Sequence, residues 1–110
     1  MKQESPPGIE MLVTTEVGGA TLAVSGELDL NTAPDMADQA AIIVDTDAPG
    51  RLTLDFAGLT FCDSAGISVL VRLRQKCDER GWQLKIVNTQ HAVHRMLVDF
   101  TGLGEYLNIE

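Results

Sequence analysis

The sequence contains no hydrophobic run long enough to cross a membrane. Its longest nearly continuous run covers residues 67–71 and is interrupted by Ser68. A transmembrane helix needs about 20 apolar residues. The first eight residues are polar and lack the apolar centre of a signal peptide. We therefore expect a cytoplasmic protein without a membrane partner.

Basic residues are scarce in this chain. Sixteen acidic residues stand against eight basic ones, which gives a net charge of −8. Without a basic patch the chain cannot displace counterions from nucleic acid or anionic lipid, so neither is an expected partner. The acidic balance suits a protein that docks on a basic protein surface, although it does not require such a partner.

The sequence has only two cysteines, Cys62 and Cys77. If residues 65–79 are helical, the helical rise separates the two by roughly 15 to 20 Å, beyond the limit of about 7 Å for a disulfide. We expect both thiols to be free, as in a reducing compartment. Cys77 is predicted to fill the core, whereas the pattern leaves the exposure of Cys62 open.

Catalytic motifs are absent from the sequence: it has neither GxSxG nor a glycine-rich phosphate loop with its lysine. Asp63 beside Ser64 is not a catalytic pair, because adjacent side chains seldom face each other. His91 and His94 could share a metal on a helix, but nothing in the sequence directs a third and fourth ligand at them. We therefore expect no enzyme, no metal site and no cofactor.

Chain length and composition favour one domain. A chain of 110 residues with 45% hydrophobic content can form one core. Residues 1–8 include Pro6-Pro7 and are predicted to form a flexible tail, so the folded domain is expected to cover residues 9–110.

The hydrophobic pattern alternates between strands and helices. Residues 11–15 and 20–25 favour strands and flank Gly18-Gly19, which is typical of a hairpin. Further strands are predicted at 51–57, 82–87 and 106–109, and helices at 33–45, 65–79 and 89–100. The predicted buried faces of these helices are Ala33, Met36, Ala37, Ala40, Ile43 and Val44; Ile67, Leu70, Val71, Arg74 and Cys77; and Val93, Met96, Leu97 and Phe100. This order predicts an α/β fold with parallel neighbours from the second strand onward.

Ser64 lies where the third strand is expected to turn into the second helix. Serine is a favoured N-cap residue, and its hydroxyl can bond an unpaired amide of the first turn. A phosphate on the same hydroxyl would meet free amides and the positive end of the helix dipole. The position of Ser64 is compatible with a capping role and with a regulatory role.

Two aspartates follow the ends of predicted strands, Asp29 after the second strand and Asp63 after the third. Open α/β sheets gather their functional loops at this edge, although both groups could simply be solvated loop carboxylates. Thr32 is predicted to cap the first helix, with Pro34 in its first turn.

Four motifs occur in order along the chain: Gly-Glu-Leu-Asp at 26–29, Leu-Asp-Phe at 54–56, Phe-Cys-Asp-Ser-Ala-Gly-Ile at 61–67 and Thr-Gly-Leu at 101–103. With these motifs the chain resembles the STAS family, specifically bacterial anti-sigma factor antagonists, over most of its length. The resemblance implies a mixed β-sheet with an N-terminal hairpin strand, alternating β-α units and helices packed on the sheet. Two positions depart from the common pattern: Ala65 replaces a frequent Ser or Thr, and Ser68 replaces a frequent Gly.

The resemblance also implies a partner-switching function. Ser64 would be phosphorylated by an anti-sigma factor that is an ATP-using serine kinase, and a PP2C-type phosphatase would restore it. The unphosphorylated chain would capture the anti-sigma factor and so free a sigma factor. The implied partner-binding residues are Asp29, Asn31, Thr32, Asp63, Ser64, Ala65, Gly66 and Ile67. The alternative is a STAS interaction or ligand-binding module of a transport or signalling complex, without a phosphorylation switch.

Overall fold

The computed structural model describes residues 8–46 and 49–110, so the predicted tail at 1–8 lies almost wholly outside the described residues. The elements follow each other in the order β1 (Ile9–Glu16), β2 (Gly19–Leu28), α1 (Ala33–Val44), β3 (Arg51–Cys62), α2 (Ser64–Arg80), β4 (Gln83–Val87) and α3 (His91–His94), which continues as a π-helical segment (Arg95–Phe100). The predicted alternation of strands and helices is confirmed.

The first two strands form the predicted hairpin. They pair antiparallel from Ile9 opposite Gly26 to Glu16 opposite Gly19, so the connecting turn has two residues, Val17 and Gly18. Gly18 has a φ of 80°, a conformation that costs glycine little and other residues much. The glycine at this position therefore allows the tight turn that sets the register of the hairpin.

The four strands form one mixed sheet in the order β1-β2-β3-β4. β3 pairs parallel with β2 on one side and with β4 on the other, as the sequence predicted. Both central strands are longer than expected, because β2 continues to Leu28 and β3 continues to Cys62. Two register shifts between them keep the strands paired to the end, where Leu28 lies opposite Cys62.

The core lies between one face of the sheet and the helices. Its sheet side consists of alternate residues, including Leu22, Leu52, Leu54 and Ile86, all fully buried. The buried residues of α1 are Ala33, Met36, Ala40 and Val44, four of the six predicted. The buried residues of α2 are Gly66, Leu70, Leu73 and Cys77. Of the predicted α2 face, Ile67, Val71 and Arg74 are only half-buried, because the helix turns the row that begins at Gly66 toward the sheet.

The third helix differs from its prediction. Val93 and Leu97 are buried as expected, but Phe100 is 69% exposed. The π-helical segment is the physical reason: its wider turns no longer repeat every 3.6 residues, so Phe100 leaves the face that Val93 begins.

The chain after residue 100 does not add a strand. Ile109 makes a single parallel bridge to Ile86, with no second pair beside it. The predicted strand at 106–109 is therefore wrong. The segment is instead wound in turns, and Asn108 has a positive φ of 55°, which an extended strand does not accommodate.

Both cysteines are buried and free, as predicted for a pair too far apart to bridge. Within the described residues no helix is long and apolar enough to span a membrane. Those residues also contain no group of three potential metal ligands, and His91 is exposed while His94 is half-buried.

Candidate functional site

The ends of β2 and β3 bring Asp29 and Asp63 to the same edge of the sheet. Asp29 follows Leu28, the last residue of β2, and Asp63 follows Cys62, the last residue of β3. The amide of Asp63 donates a hydrogen bond to the carbonyl of Leu28 over 3.1 Å, so the two strand ends stay joined beyond the last strand pair. The site predicted from these two aspartates is therefore one continuous part of the molecule.

Asp29 folds the loop that leads into α1. Its carboxylate accepts hydrogen bonds from the amides of Asn31 at 2.9 Å and Thr32 at 3.1 Å. This is the local turn that aspartate side chains commonly stabilise. Asp29 is half-buried and Asn31 is exposed, so the outer side of the loop remains open to a partner.

Thr32 occupies the N-cap position of α1, but its hydroxyl does not cap the helix. The hydroxyl instead donates to the carbonyl of Glu27 at 2.8 Å and accepts from the amide of Asp29 at 2.9 Å. The prediction of a capping threonine is wrong in this respect, because the side chain turns back toward the end of β2. Thr32 is only 1% exposed, which also removes it from the predicted partner-binding surface.

Asp63 is the residue that caps α2. Its backbone is extended, with φ −105° and ψ −170°, and its carboxylate accepts from the amides of Ala65 at 2.9 Å and Gly66 at 3.2 Å. A charged acceptor at this position satisfies two unpaired amides and also complements the helix dipole. The capping role that the sequence left open for Ser64 therefore belongs to Asp63.

Ser64 is the first residue of α2, and its side chain is exposed. Among residues 8–46 and 49–110, its hydroxyl has no hydrogen-bond partner. The capping interpretation of this serine is wrong, since the amides it could have bonded already donate to Asp63. The site thus presents a primary hydroxyl to solvent at a helix start that the Asp63 carboxylate caps.

Gly66 packs the start of α2 against the strand ends. A Cβ atom at this position would lie 2.8 Å from both the Leu28 Cγ and the Cys62 Sγ, closer than such atoms approach in proteins. Gly66 is also buried, so the prediction that it contacts a partner is corrected. Its role is to let the helix approach the sheet and so set the position of Ser64.

We expect Gly66→Val to destabilise the fold itself. Forcing a branched side chain between Leu28 and Cys62 should lower the free energy of unfolding by about 1 to 3 kcal/mol, the usual range for overpacking. Chemical denaturation measures the loss, and Ser68→Val, on the exposed side of the same helix, is the matched control. Equal stability of the two variants would contradict this account of Gly66.

Cys62 is the buried last residue of β3, two positions before the serine. Burial, and secondarily the charge of Asp63, raises its pKa to about 12. Burial, and secondarily the charge of Asp78, raises the pKa of Cys77 to about 11. Since the thiolate is the reactive form, neither cysteine has the character of a nucleophile or of a metal ligand at neutral pH.

Two exposed apolar side chains flank the site, and the sequence interpretation did not include them. Leu30 directly follows Asp29 and is 76% exposed, while Phe61 lies two residues before Asp63 and is 45% exposed. Leu30 could have been found from the sequence, because it is an apolar residue inside the polar loop at 29–32. Strand alternation does not find the second side chain, because the buried residues Phe56, Leu59 and Cys62 are three apart where the pairing with β2 shifts register.

The remaining predicted partner-binding residues divide by exposure. Ser64 and Asn31 are exposed, and Asp29, Asp63, Ala65 and Ile67 are half-buried. These six residues lie on the loops and the first helical turn beyond the ends of β2 and β3. Together with Leu30 and Phe61 they form the candidate surface, which we call the strand-end surface.

The fold and this strand-end arrangement are those of an α/β domain of the STAS class. A family model described as "Mlab, STAS domain" matches residues 11–107, and the chain therefore belongs to the STAS domain family.

Individual relatives are similar along nearly the whole chain. The anti-sigma-F factor antagonist RsfB of Mycobacterium tuberculosis is 28% identical over 100 residues, covering 88% of this chain and 81% of RsfB. The crystal structure of an anti-sigma factor antagonist from Mycobacterium paratuberculosis superposes with a TM-score of 0.80 at 29% identity, covering 96% of this chain and 89% of that one.

The same fold also occurs within a much larger protein. The murine Slc26a9 anion transporter matches with a TM-score of 0.75 at 17% identity, covering 96% of this chain but 21% of the transporter. At this identity the similarity concerns the fold alone.

Proposed function

We propose that this chain is an anti-sigma factor antagonist that captures an anti-sigma factor and is switched off by phosphorylation of Ser64. The similarity to RsfB and to the Mycobacterium paratuberculosis antagonist supports the first part. The observation that carries the second part is the exposed Ser64 hydroxyl, which has no hydrogen-bond partner in the described part of the chain.

The proposed modification is a phosphoryl transfer from ATP, catalysed by the anti-sigma factor. The Ser64 oxygen attacks the γ-phosphorus, a new oxygen–phosphorus bond forms, ADP leaves, and the hydroxyl proton passes to a base of the kinase. This chain supplies only the acceptor oxygen, so it is a substrate and not an enzyme in this reaction. A PP2C-type phosphatase would hydrolyse the phosphoserine and restore the binding form.

The local structure suits a serine that must be reached by another protein. The Asp63 carboxylate holds the first turn of α2, and the packing of Gly66 holds that turn against the sheet. The hydroxyl therefore has a defined position, is exposed, and makes no hydrogen bond to residues 8–46 or 49–110. A rigid and accessible acceptor loses little conformational entropy when a kinase binds it.

The acidic character of the chain favours a basic docking surface on the partner. The net charge is −8, and Asp29 and Asp63 lie at the strand-end surface itself. Opposite charge on the anti-sigma factor would raise the association rate and orient the two proteins.

Ser64→Ala tests the modification. We expect the wild-type chain to gain one phosphate when it is incubated with ATP and the anti-sigma factor that it captures. The Ser64→Ala variant should gain none. Intact-mass spectrometry measures the phosphate, and the variants of nearby hydroxyl residues, Thr60→Ala and Ser68→Ala, should gain one phosphate as the wild-type chain does. Phosphate on Thr60 or Ser68 in the Ser64→Ala protein would contradict the proposal.

The alternative is a STAS module of a transport complex without a phosphorylation switch, and the fold similarity to part of an anion transporter is the observation that favours it. Affinity purification of the tagged chain from its own host distinguishes the two. Recovery of a small histidine-kinase-like ATPase supports the antagonist, and recovery of transporter subunits supports the alternative.

A further inference from the structure

Strand β1 lies at the edge of the sheet and has one side without a strand partner among the described residues. The carbonyl of Gly8 accepts from the amide of Glu27, and Glu16 closes the hairpin opposite Gly19. Backbone groups of even-numbered residues therefore point toward β2, since the direction alternates along an antiparallel strand. The residues whose N–H and C=O groups point outward are Ile9, Met11, Val13 and Thr15.

This edge lacks most of the usual protection against pairing. Natural edge strands carry charged side chains, most often lysine, or proline or a bulge, or they are very short. β1 has eight residues, no proline and no basic residue, and it pairs with β2 without a register shift. Its charged side chains, Glu10 and Glu16, leave the five residues between them uncharged. It also exposes apolar side chains on both faces, since Leu12 is 68% exposed on the open face and Val13 is 39% exposed on the helix face.

We propose that β1 is an interface between two copies of this chain, paired antiparallel about a two-fold axis at Leu12. The axis places Leu12 opposite the Leu12 of the second copy. Met11 then pairs with Val13, and Ile9 pairs with Thr15. All four residues of these pairs have outward-pointing backbone groups, so each group on the edge finds a partner and the two sheets become continuous.

Charge disfavours one of the two neighbouring registers. With the axis at Leu12, Glu10 lies opposite Thr14 and Glu16 lies opposite Gly8. An axis at Val13 would instead place Glu10 opposite Glu16 at both ends, and like charges directly opposite are destabilising. A pairing register shifted by one residue is excluded as well, because it would move every side chain to the other face of the sheet.

The side-chain pattern of β1 is complementary to itself, which indicates that the strand pairing with this edge is the β1 of a second copy. The two exposed Leu12 side chains would cover each other on the open face, and Met11 and Val13 would do so on the helix face. One strand edge buries less surface than a standard stable interface, so we expect a weak dimer that forms at high protein concentration.

Single cysteines test the register directly. With the proposed axis, the two Leu12 positions form a non-hydrogen-bonded pair with Cα atoms about 4.5 Å apart, within the range for a disulfide. Leu12→Cys should therefore give a covalent dimer under mild oxidation. The control is Thr14→Cys on the same face, whose two copies would lie about 13 Å apart and should not cross-link. The native Cys62 and Cys77 are buried and should contribute no background.

Equilibrium sedimentation tests the interface without a covalent bond. Leu12→Lys places two like charges on the axis and should raise the dimer dissociation constant at least tenfold. Phe100→Lys changes a side chain of nearly equal exposure, 69% against 68%, in the π-helical segment and not on β1, and should have no effect. The proposal would be overturned if the chain stayed monomeric up to its solubility limit. It would also be overturned if Thr14→Cys cross-linked as readily as Leu12→Cys.

Discussion

Ser64→Glu is expected to abolish capture of the anti-sigma factor while its melting temperature stays close to that of the wild-type chain. The amides of Ala65 and Gly66 already donate to Asp63, so a new anion at Ser64 gains few local hydrogen bonds. The helix dipole favours it by roughly 0.3 to 1 kcal/mol, and the nearby aspartates oppose it by a similar amount. The fold should therefore tolerate the charge.

The partner interface responds differently to the same charge. A surface that receives a small hydroxyl would have to desolvate an anion, and a loss of about 4 kcal/mol weakens binding roughly a thousandfold. Isothermal titration measures the affinity, and thermal unfolding measures the stability. Gln75→Glu adds one negative charge to the exposed side of the same helix and serves as the charge-matched control. Full capture by phosphorylated protein, or its global unfolding, would show that the switch works in another way.

Leu30→Asp and Phe61→Asp should each weaken capture of the anti-sigma factor by roughly 30-fold or more. Replacing an apolar side chain at the partner surface by aspartate removes its contact and adds a charge that the interface must desolvate, which together cost about 2 kcal/mol or more. Both side chains are exposed in the unbound chain, at 76% and 45%, so their replacement should change stability little.

Phe100→Asp is the control for these two variants. Phe100 is 69% exposed but belongs to the π-helical segment and not to the strand-end surface. Titration of all three variants against the same anti-sigma factor measures the difference. Equal affinity of Phe100→Asp and Leu30→Asp would show that the apolar side chains at the strand ends are not anchors.

Much of the fold could be predicted because its signals are local. Gly18-Gly19 between two strand-favouring segments indicated the hairpin, and it forms there. The alternation of strand and helix patterns indicated the parallel pairing of β2, β3 and β4. Some of the errors lie where two local signals compete, as at residues 63–64, or where the helical period changes, as at Phe100.

The capping of α2 shows why the site could be located but not assigned. Asp63 and Ser64 are adjacent, and both residue types are favoured at an N-cap. Which of the two residues becomes the N-cap depends on the backbone conformation of Asp63. The amide of Asp63 donates a hydrogen bond to Leu28 on the neighbouring strand, and this bond keeps Asp63 extended at the end of β3. Neighbouring residues in the sequence carry no information about that bond.

The sequence by itself determined the order of the elements up to residue 100, the position of the serine turn and the separation of the two cysteines, since each depends on spacing along one segment. The tertiary structure decided which side chains are free to act. It buried Gly66 and Thr32, exposed Leu30 and Phe61, and gave the Ser64 hydroxyl no hydrogen-bond partner among the residues that the structure describes. The physical reason is that burial and hydrogen bonding at the strand ends depend on contacts between β2, β3 and α2, which are distant in sequence and meet only in the folded chain.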